Sequence, residues 1–151
     1  MIIKLYEAPF SEEFFLNFRK LTAAIFEDSA DQDWLESLQW RLKNMPNLTV
    51  FLAEDASKLI GYQVGYSTAY NRYYNWLNGI IPEYRKLGIG KKLMHHQHEW
   101  LQKSHFKSLE VQIEQHNTPM IQLSLKCGFH ISGFMHKDSS PYLIMNRRVG
   151  V

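Results

Sequence analysis

The chain has 151 residues, of which 45% are hydrophobic, and this size fits one globular domain with a substantial core. Its 17 basic and 15 acidic residues leave a formal net charge of +2, which argues against a nucleic-acid-binding protein. No apolar run approaches the roughly 18 residues of a membrane span, and no signal-peptide pattern opens the chain. We therefore expect one domain over residues 1–151, cytoplasmic, with no nucleic-acid or membrane partner.

The first third of the chain predicts a strand followed by two helices. Residues 2–8 alternate in polarity, as a strand does. Ser11 then leads into residues 11–26, where apolar side chains recur at helical spacing. Asp31 is a candidate N-cap for a second amphipathic helix, which ends near Pro46.

Three strands follow in the predicted order. Residues 48–55 and 58–68 are rich in β-branched and aromatic side chains and are joined by a short polar turn, which is typical of an antiparallel hairpin. Residues 73–81 continue this series as a third strand.

The second half alternates helices and strands. From Gly88 the apolar period becomes helical and runs to about Ser104, and residues 108–115 then alternate as a strand. Asn117 is a suitable N-cap for a helix that stops at Cys127. Two strands close the chain around a turn at residues 138–141, so the predicted order is βααβββαβαββ.

The stretch PEYRKLGIGKKL, residues 82–93, combines a strand end, a glycine-rich turn and a helix start. This arrangement presents free backbone N–H groups and the positive end of a helix dipole to an anion. Gly88 and Gly90 would let the backbone approach that anion closely. The stretch lacks the Walker pattern, and Leu93 occupies the third glycine position of a dinucleotide fingerprint.

Two motifs carry a family resemblance. The first is R-x-x-G-x-G, formed by Arg85, Gly88 and Gly90 and preceded by Ile80 and Pro82. With this motif the chain resembles the GNAT superfamily of acyl-CoA-dependent N-acyltransferases, whose pyrophosphate loop has the pattern [QR]-x-x-G-x-[GA].

The second motif lies about thirty residues further on. It resembles the family pattern N-x-x-A-x-x-L-Y-x-x-x-G-F, with Asn117, Leu123, Gly128 and Phe129 in register and Met120 at the alanine position. The resemblance therefore extends over nearly the whole chain. It implies an α/β fold with a mixed sheet of six or seven strands and about four helices.

The resemblance also implies an activity and a set of coenzyme contacts. The expected reaction is transfer of an acetyl group from acetyl-CoA, without a metal, to a primary amine of a small molecule or peptide. Homodimers are common among relatives. The expected pyrophosphate contacts are backbone amides of Lys86, Leu87, Gly88, Ile89, Gly90 and Lys91, with the charges of Arg85 and Lys91 or Lys92 nearby.

The resemblance places two further coenzyme contacts beside a gap in the sheet. The strand before the loop is expected to splay from a parallel neighbour, residues 108–115, and the backbone of Ile80 to bind the pantetheine arm or the acetyl carbonyl. Asn117 stands where relatives contact the coenzyme, and this role is compatible with helix capping.

Both proton carriers that are usual in the family are replaced. The tyrosine position of the second motif holds Ser124, and the glutamate position on the preceding strand holds Gln112. Among the carboxylates beside Gln112, Glu114 is the first candidate base, acting directly or through water, while Ser124 is a candidate to position water or contact the sulfur. Tyr74 and Tyr84 are alternative acids. Because both usual carriers are absent, a module that binds acyl-CoA without turnover is an alternative function.

Overall fold

The computed structural model describes residues 1–137 and 139–150, so Asp138 of the predicted last turn and Val151 lie outside the described residues. The predicted order of elements is confirmed. The strands are β1 Ile2–Glu7, β2 Thr49–Asp55, β3 Lys58–Ala69, β4 Arg72–Ile80, β5 Ser108–Glu114, β6 His130–Lys137 and β7 Ser140–Arg148. The α-helices are α1 Glu12–Phe26, α2 Gln32–Asn44, α3 Ile89–Gln102 and α4 Thr118–Lys126.

Side-chain caps fix where the helices begin. Ser11 accepts a hydrogen bond from the Phe14 N–H (3.0 Å), and Asp31 accepts one from the Trp34 N–H (2.9 Å). Helix α3 ends at Gln102, two residues before the predicted end. The Ser104 N–H bonds to Leu101 O (3.0 Å), an i to i−3 bond that tightens the chain beyond the α-helix.

The seven strands form one mixed sheet in the order β1-β2-β3-β4-β5-β7-β6. Every adjacent pair is antiparallel except β4 and β5, which are parallel as expected. Two short 3₁₀ turns, Glu27–Ser29 and Pro82–Tyr84, complete the described secondary structure. None of the helices in the described ranges combines the length and the apolar character needed to cross a bilayer.

Helices cover the two faces of the sheet. Tyr62 of β3 stacks on Phe18 of α1, with ring centroids 4.8 Å apart, whereas its neighbour Gln63 donates a hydrogen bond to Gln97 of α3 (3.1 Å). Because successive strand residues point to opposite faces, α1 and α3 lie on opposite sides of the sheet. Helix α4 shares the α3 side, where Met120 packs on a core that includes Val111 and Leu101.

Candidate active site

A cleft opens where β4 and β5 part. The strands pair only from Arg72 to Tyr74 on β4 and from Ser108 to Glu110 on β5, and beyond these residues they diverge. The resulting cavity has a volume of about 220 Å³. Its lining comes from both strands, both helices of one face and β7: Asn75, Trp76, Asn78, Met94, Val111, Gln112, Ile113, Glu114, Asn117, Met120, Ser124 and Tyr142.

The cleft connects the two faces of the sheet. Met94 of α3 and Ser124 of α4 approach it from one side. Gln112 approaches it from the other, because it accepts a hydrogen bond from Tyr74, whose register partner Tyr66 lies on the same face of β3 as Tyr62. Two molecules that enter from opposite faces can therefore meet between the strands.

A β-bulge in β4 shapes this opening. Gly65 pairs with Asn75 and Val64 pairs with Leu77, so Trp76 has no partner on β3. An extra residue of this kind bends a strand and redirects its side chains, and bulges are frequent beside active sites. Trp76 lies two residues after Tyr74, the last residue of β4 that pairs with β5, so the bulge is at the start of the splay.

The glycine loop ends at the α3 N-terminus as an uncapped helix start. Gly88 is the N-cap with φ 79°, and as a glycine it supplies no side-chain cap to the first-turn N–H groups. A Cβ added at Gly88 or Gly90 would meet nothing within 4 Å, so the space above the loop is open. Lys86 also has a positive φ of 65°. The first-turn N–H groups of α3 are thus free to bind an anion.

A basic groove between α3 and α4 adjoins this loop. It has a volume of about 820 Å³ and reaches Gly88. Its basic side chains include Lys91, Lys92, Lys126 and Arg147, which come from three different elements. This groove carries the positive charge that a phosphorylated ligand at the α3 N-terminus would meet.

Arg85 makes contacts that the sequence did not indicate. Its Nε donates to Ile80 O (2.9 Å) and its Nη2 donates to Ile25 O (2.8 Å), so its guanidinium links the loop to α1. A contact between Arg85 and phosphate stays a prediction. Because Ile81 donates its N–H to Ile60 O (2.9 Å), strand alternation turns the Ile80 peptide away from β3, toward the splay.

A polar chain lies where the strands separate. The Tyr74 hydroxyl donates to Gln112 Oε1 (3.2 Å), and Gln112 Nε2 donates to Glu110 Oε2 (3.0 Å). Burial, chiefly, raises the pKa of Tyr74, with a further contribution from Tyr66. Tyr74 therefore remains a protonated hydrogen-bond donor in the neutral pH range.

The structure brings the two candidate catalytic residues to the same cleft. The Glu114 carboxylate accepts the His116 N–H (2.7 Å) and the Ser140 hydroxyl (3.0 Å), which hold it in a defined orientation. Ser124 is buried on α4. Asn117 caps α4 by accepting the Met120 N–H (3.4 Å) and also lines the cleft. The catalytic and coenzyme roles of these residues stay predictions.

The alternative acid Tyr84 lies elsewhere. Its hydroxyl donates to Asp55 Oδ2 (3.0 Å) at the β2–β3 hairpin, and this hydrogen bond is the main cause that raises the pKa of Tyr84. Tyr84 is absent from the cleft lining, whereas Tyr142, the register partner of Glu114, is part of it.

The histidines of α3 serve other contacts. His95 pairs with Glu99 (2.9 Å), and His98 Nδ1 accepts a hydrogen bond from Arg147 Nη1 (2.8 Å). Burial, followed by the charge of Arg147, lowers the pKa of His98 to about 4, so this ring is neutral. Among the side chains that the structure describes, no group of three or more His, Cys, Asp or Glu is arranged to hold a metal.

Sequence reasoning missed several residues of the cleft. Asn75, Trp76 and Asn78 of β4 and Tyr142 of β7 gave no motif, because ordinary strand patterns contain such residues. The polar Asn75 and Asn78 inside an otherwise apolar strand were a usable signal, since buried amides need partners.

Comparison with known proteins agrees with this geometry. Residues 15–129 match the model of the acetyltransferase (GNAT) family, and no curated protein sequence matches the chain. The fold is similar to that of the ribosomal-protein-S18-alanine N-acetyltransferase from Escherichia coli, with a TM-score of 0.79 and 11% identity over 99% of this chain and 96% of that one.

Two structures with coenzyme A are also similar in fold. An aminoglycoside 6'-N-acetyltransferase complexed with coenzyme A has a TM-score of 0.77 and 13% identity over 99% and 97% of the two chains. The PaiA N-acetyltransferase from Thermoplasma acidophilum, in complex with coenzyme A, has a TM-score of 0.69 and 17% identity over 98% and 99%. The predicted resemblance is confirmed: the chain has the GNAT fold and belongs to the acetyltransferase (GNAT) family of acyltransferases.

Proposed function

We propose that the chain transfers an acetyl group directly from acetyl-CoA to a primary amine of a small molecule or peptide. The observation that carries this proposal is the splay of the parallel strands β4 and β5, which opens a cleft through the sheet beside the uncapped N-terminus of α3. A ligand with a phosphate head and a long arm fits this combination, because the head binds at the helix end and the arm enters the cleft.

The coenzyme would lie on the α3 and α4 side. Its pyrophosphate binds the backbone N–H groups of residues 86–91, and its remaining phosphate charge meets the basic groove that Lys91, Lys92 and Lys126 line. Its arm follows β4, where the Ile80 N–H, turned away from β3, is the first available partner, because Ile80 O already accepts from Arg85 Nε. Two structures of similar fold contain coenzyme A, which supports this choice of cosubstrate.

The amine would approach from the α1 and α2 side. Its nitrogen attacks the thioester carbonyl carbon, the carbon–sulfur bond breaks, and the amine proton passes to Glu114 directly or through one water. The thiolate takes up a proton as it leaves, with Ser124 positioning a water or contacting the sulfur. Glu114 suits this role because two hydrogen bonds fix its carboxylate at the cleft.

The first experiment is isothermal titration of the protein with acetyl-CoA. The same preparation is then assayed for thiol release against polyamines, amino acids, aminoglycosides and peptide N-termini. We expect binding, and thiol release with one class of amine. That class identifies the acceptor.

The possible results separate the alternatives. Binding without release on any amine would favour the module that binds acyl-CoA without turnover. Failure to bind acetyl-CoA would contradict the proposed site. Homodimer formation stays a family-level prediction, and sedimentation of the same preparation tests it.

A further inference from the structure

The closed end of the cleft contains a buried amide without a partner. Asn75 is the first residue of β4 beyond the pairs with β5, and it lines the cavity. Its exposed fraction is 8%, and its Oδ1 accepts no hydrogen bond from the part of the chain that the structure describes. A buried acceptor left in this state is costly, so such groups normally bind water or a ligand.

A buried donor lies beside the same part of β4. Gln97 of α3 is fully buried; its Oε1 accepts from Gln63 (3.1 Å), while its Nε2 has no partner among the described residues. This Nε2 is 3.0 Å from the position that a Cβ would take on Gly65, and Gly65 is the register partner of Asn75. This donor and this acceptor lie on the same face of the sheet. A buried water needs polar partners of this kind.

The distance of Asn75 from the loop, measured along β4, indicates which part of the coenzyme reaches Asn75. The loop that would hold the phosphates follows Ile80, at the open end of the cleft. Asn75 lies five positions earlier on the strand, roughly 16 Å away at the usual rise per residue. A coenzyme anchored at the loop and extended along β4 therefore directs its acyl group toward Asn75.

We propose that Asn75 is a specificity-determining residue that restricts the transferred group to acetyl. This inference rests on the proposed function. Asn75 Oδ1, which lines the cleft, and Gln97 Nε2, which lies behind it beside Gly65, together hold water that a short acetyl methyl leaves in place. A longer acyl chain puts methylene groups against these amides and removes their hydrogen-bond partners.

The test compares acetyl-CoA, propionyl-CoA and butyryl-CoA as donors to one amine. Wild-type protein is expected to prefer acetyl-CoA over butyryl-CoA in kcat/KM. Asn75→Leu removes the acceptor at similar side-chain volume, and we expect it to reduce that preference about tenfold. The matched variant Asn78→Leu, on the same strand and nearer the opening, should change kcat/KM for all three donors by the same factor.

Titration with the same three acyl-CoAs keeps the inference separate from the proposed function. If no acyl-CoA binds the wild type, the proposed function itself fails. If all bind but the wild type shows no preference for acetyl, or Asn75→Leu keeps it, this inference is wrong. If Asn75→Leu does not fold, Asn75→Ala removes the same acceptor, and an unchanged preference in it overturns the inference. A loss of preference in Asn75→Ala with none in a folded Asn75→Leu would assign the limit to size, which also overturns it.

Discussion

Strand β5 has two edges that differ in pairing. Along one edge, every residue from Ser108 to Glu114 pairs with β7. Along the other edge, pairing with β4 stops at Glu110. One strand therefore completes a closed ladder on one side and leaves backbone groups unpaired on the other.

The difference shows how the sheet separates stability from function. Across the closed edge, Met145 of β7 is fully buried opposite Val111. Along the open edge, Gln112 and Glu114 line a cavity, and Asn75 of β4 lines it from across the gap. Substitutions at the closed edge are therefore expected to change the free energy of unfolding, and those at the open edge to change catalysis.

The largest expected effect is at the open edge, in Glu114→Gln. Removing the candidate base should lower kcat by about 10² to 10⁴, the usual contribution of general acid–base catalysis. Steady-state thiol release measures this change, with thermal melting to show that the fold is retained. Glu110→Gln is the matched control, since Glu110 lies two positions before Gln112 on the same face and outside the cleft lining. Equal losses in both variants would exclude Glu114 as the base.

Met145→Ala tests the closed edge. Removing this fully buried side chain should lower the free energy of unfolding by about 2 to 5 kcal/mol, because the lost contacts leave a cavity. Denaturant titration gives the value. Ile131→Ala, at the half-exposed register partner of Met145, should cost less than about 1 kcal/mol. Affinity for acetyl-CoA should not change in either folded variant, and a loss there would mean that the two edges are coupled.

Gly90→Val tests the loop at the open end of the cleft. The added side chain meets no protein atom close to its Cβ, so the fold should persist while the anion site is obstructed. Affinity for acetyl-CoA should fall at least about tenfold, the equivalent of one charge-assisted hydrogen bond. Gly133→Val on β6, where a Cβ also fits, is the control. Unchanged affinity in Gly90→Val would contradict the placement of the pyrophosphate.

Tyr74→Phe tests the point where the two edges begin to differ. The variant removes the donor to Gln112, so the free energy of unfolding should fall by about 1 kcal/mol. The kcat should fall less than about tenfold, because Glu114 and Ser124 remain. A fall of a hundredfold or more would instead assign the proton donor to Tyr74.

The smallest effect concerns the pH dependence of stability. It involves His98, which contacts Arg147 of β7, the strand that pairs with the closed edge of β5. The pKa of His98 is about 4 in the folded protein, whereas the ordinary pKa of a histidine side chain is 6.5. Above pH 6.5 the ring is neutral in both states; below it only the unfolded chain binds the proton, so stability is lost as pH falls toward 4.

We expect this loss to be about 1 kcal/mol, since partial exposure screens the group. His98→Gln should flatten the dependence of the unfolding free energy on pH between 6.5 and 4. Denaturant titration at several pH values in this range measures the slope in the wild type and in the variant. An identical slope in wild type and His98→Gln would contradict the shifted pKa.

The structural features that the sequence predicts are those that depend on residues close together in the chain. Ser11, Asp31 and Asn117 act as caps, and the sequence predicts this role for Asp31 and Asn117 because a cap contacts an N–H three positions away. The uncapped glycine turn was recognisable because its residues are also close together in the sequence. These features are local, so composition and spacing suffice to find them.

The features that the sequence does not predict depend on contacts between residues that are distant in the chain and meet only in the fold. Arg85 donates to Ile25, which is 60 positions away in the chain. The bulge at Trp76 arises from the register between two strands, and the burial of Asn75 depends on where β5 leaves β4. No spacing rule contains this information.

A passage that opens to both faces of the sheet has a kinetic consequence. Donor and acceptor do not compete for one entrance, so both can occupy the protein together. Initial rates measured over a grid of the two concentrations should then give intersecting double-reciprocal lines. Under the proposed function, the acylated amine would depart through its own opening while coenzyme A still occupied the other.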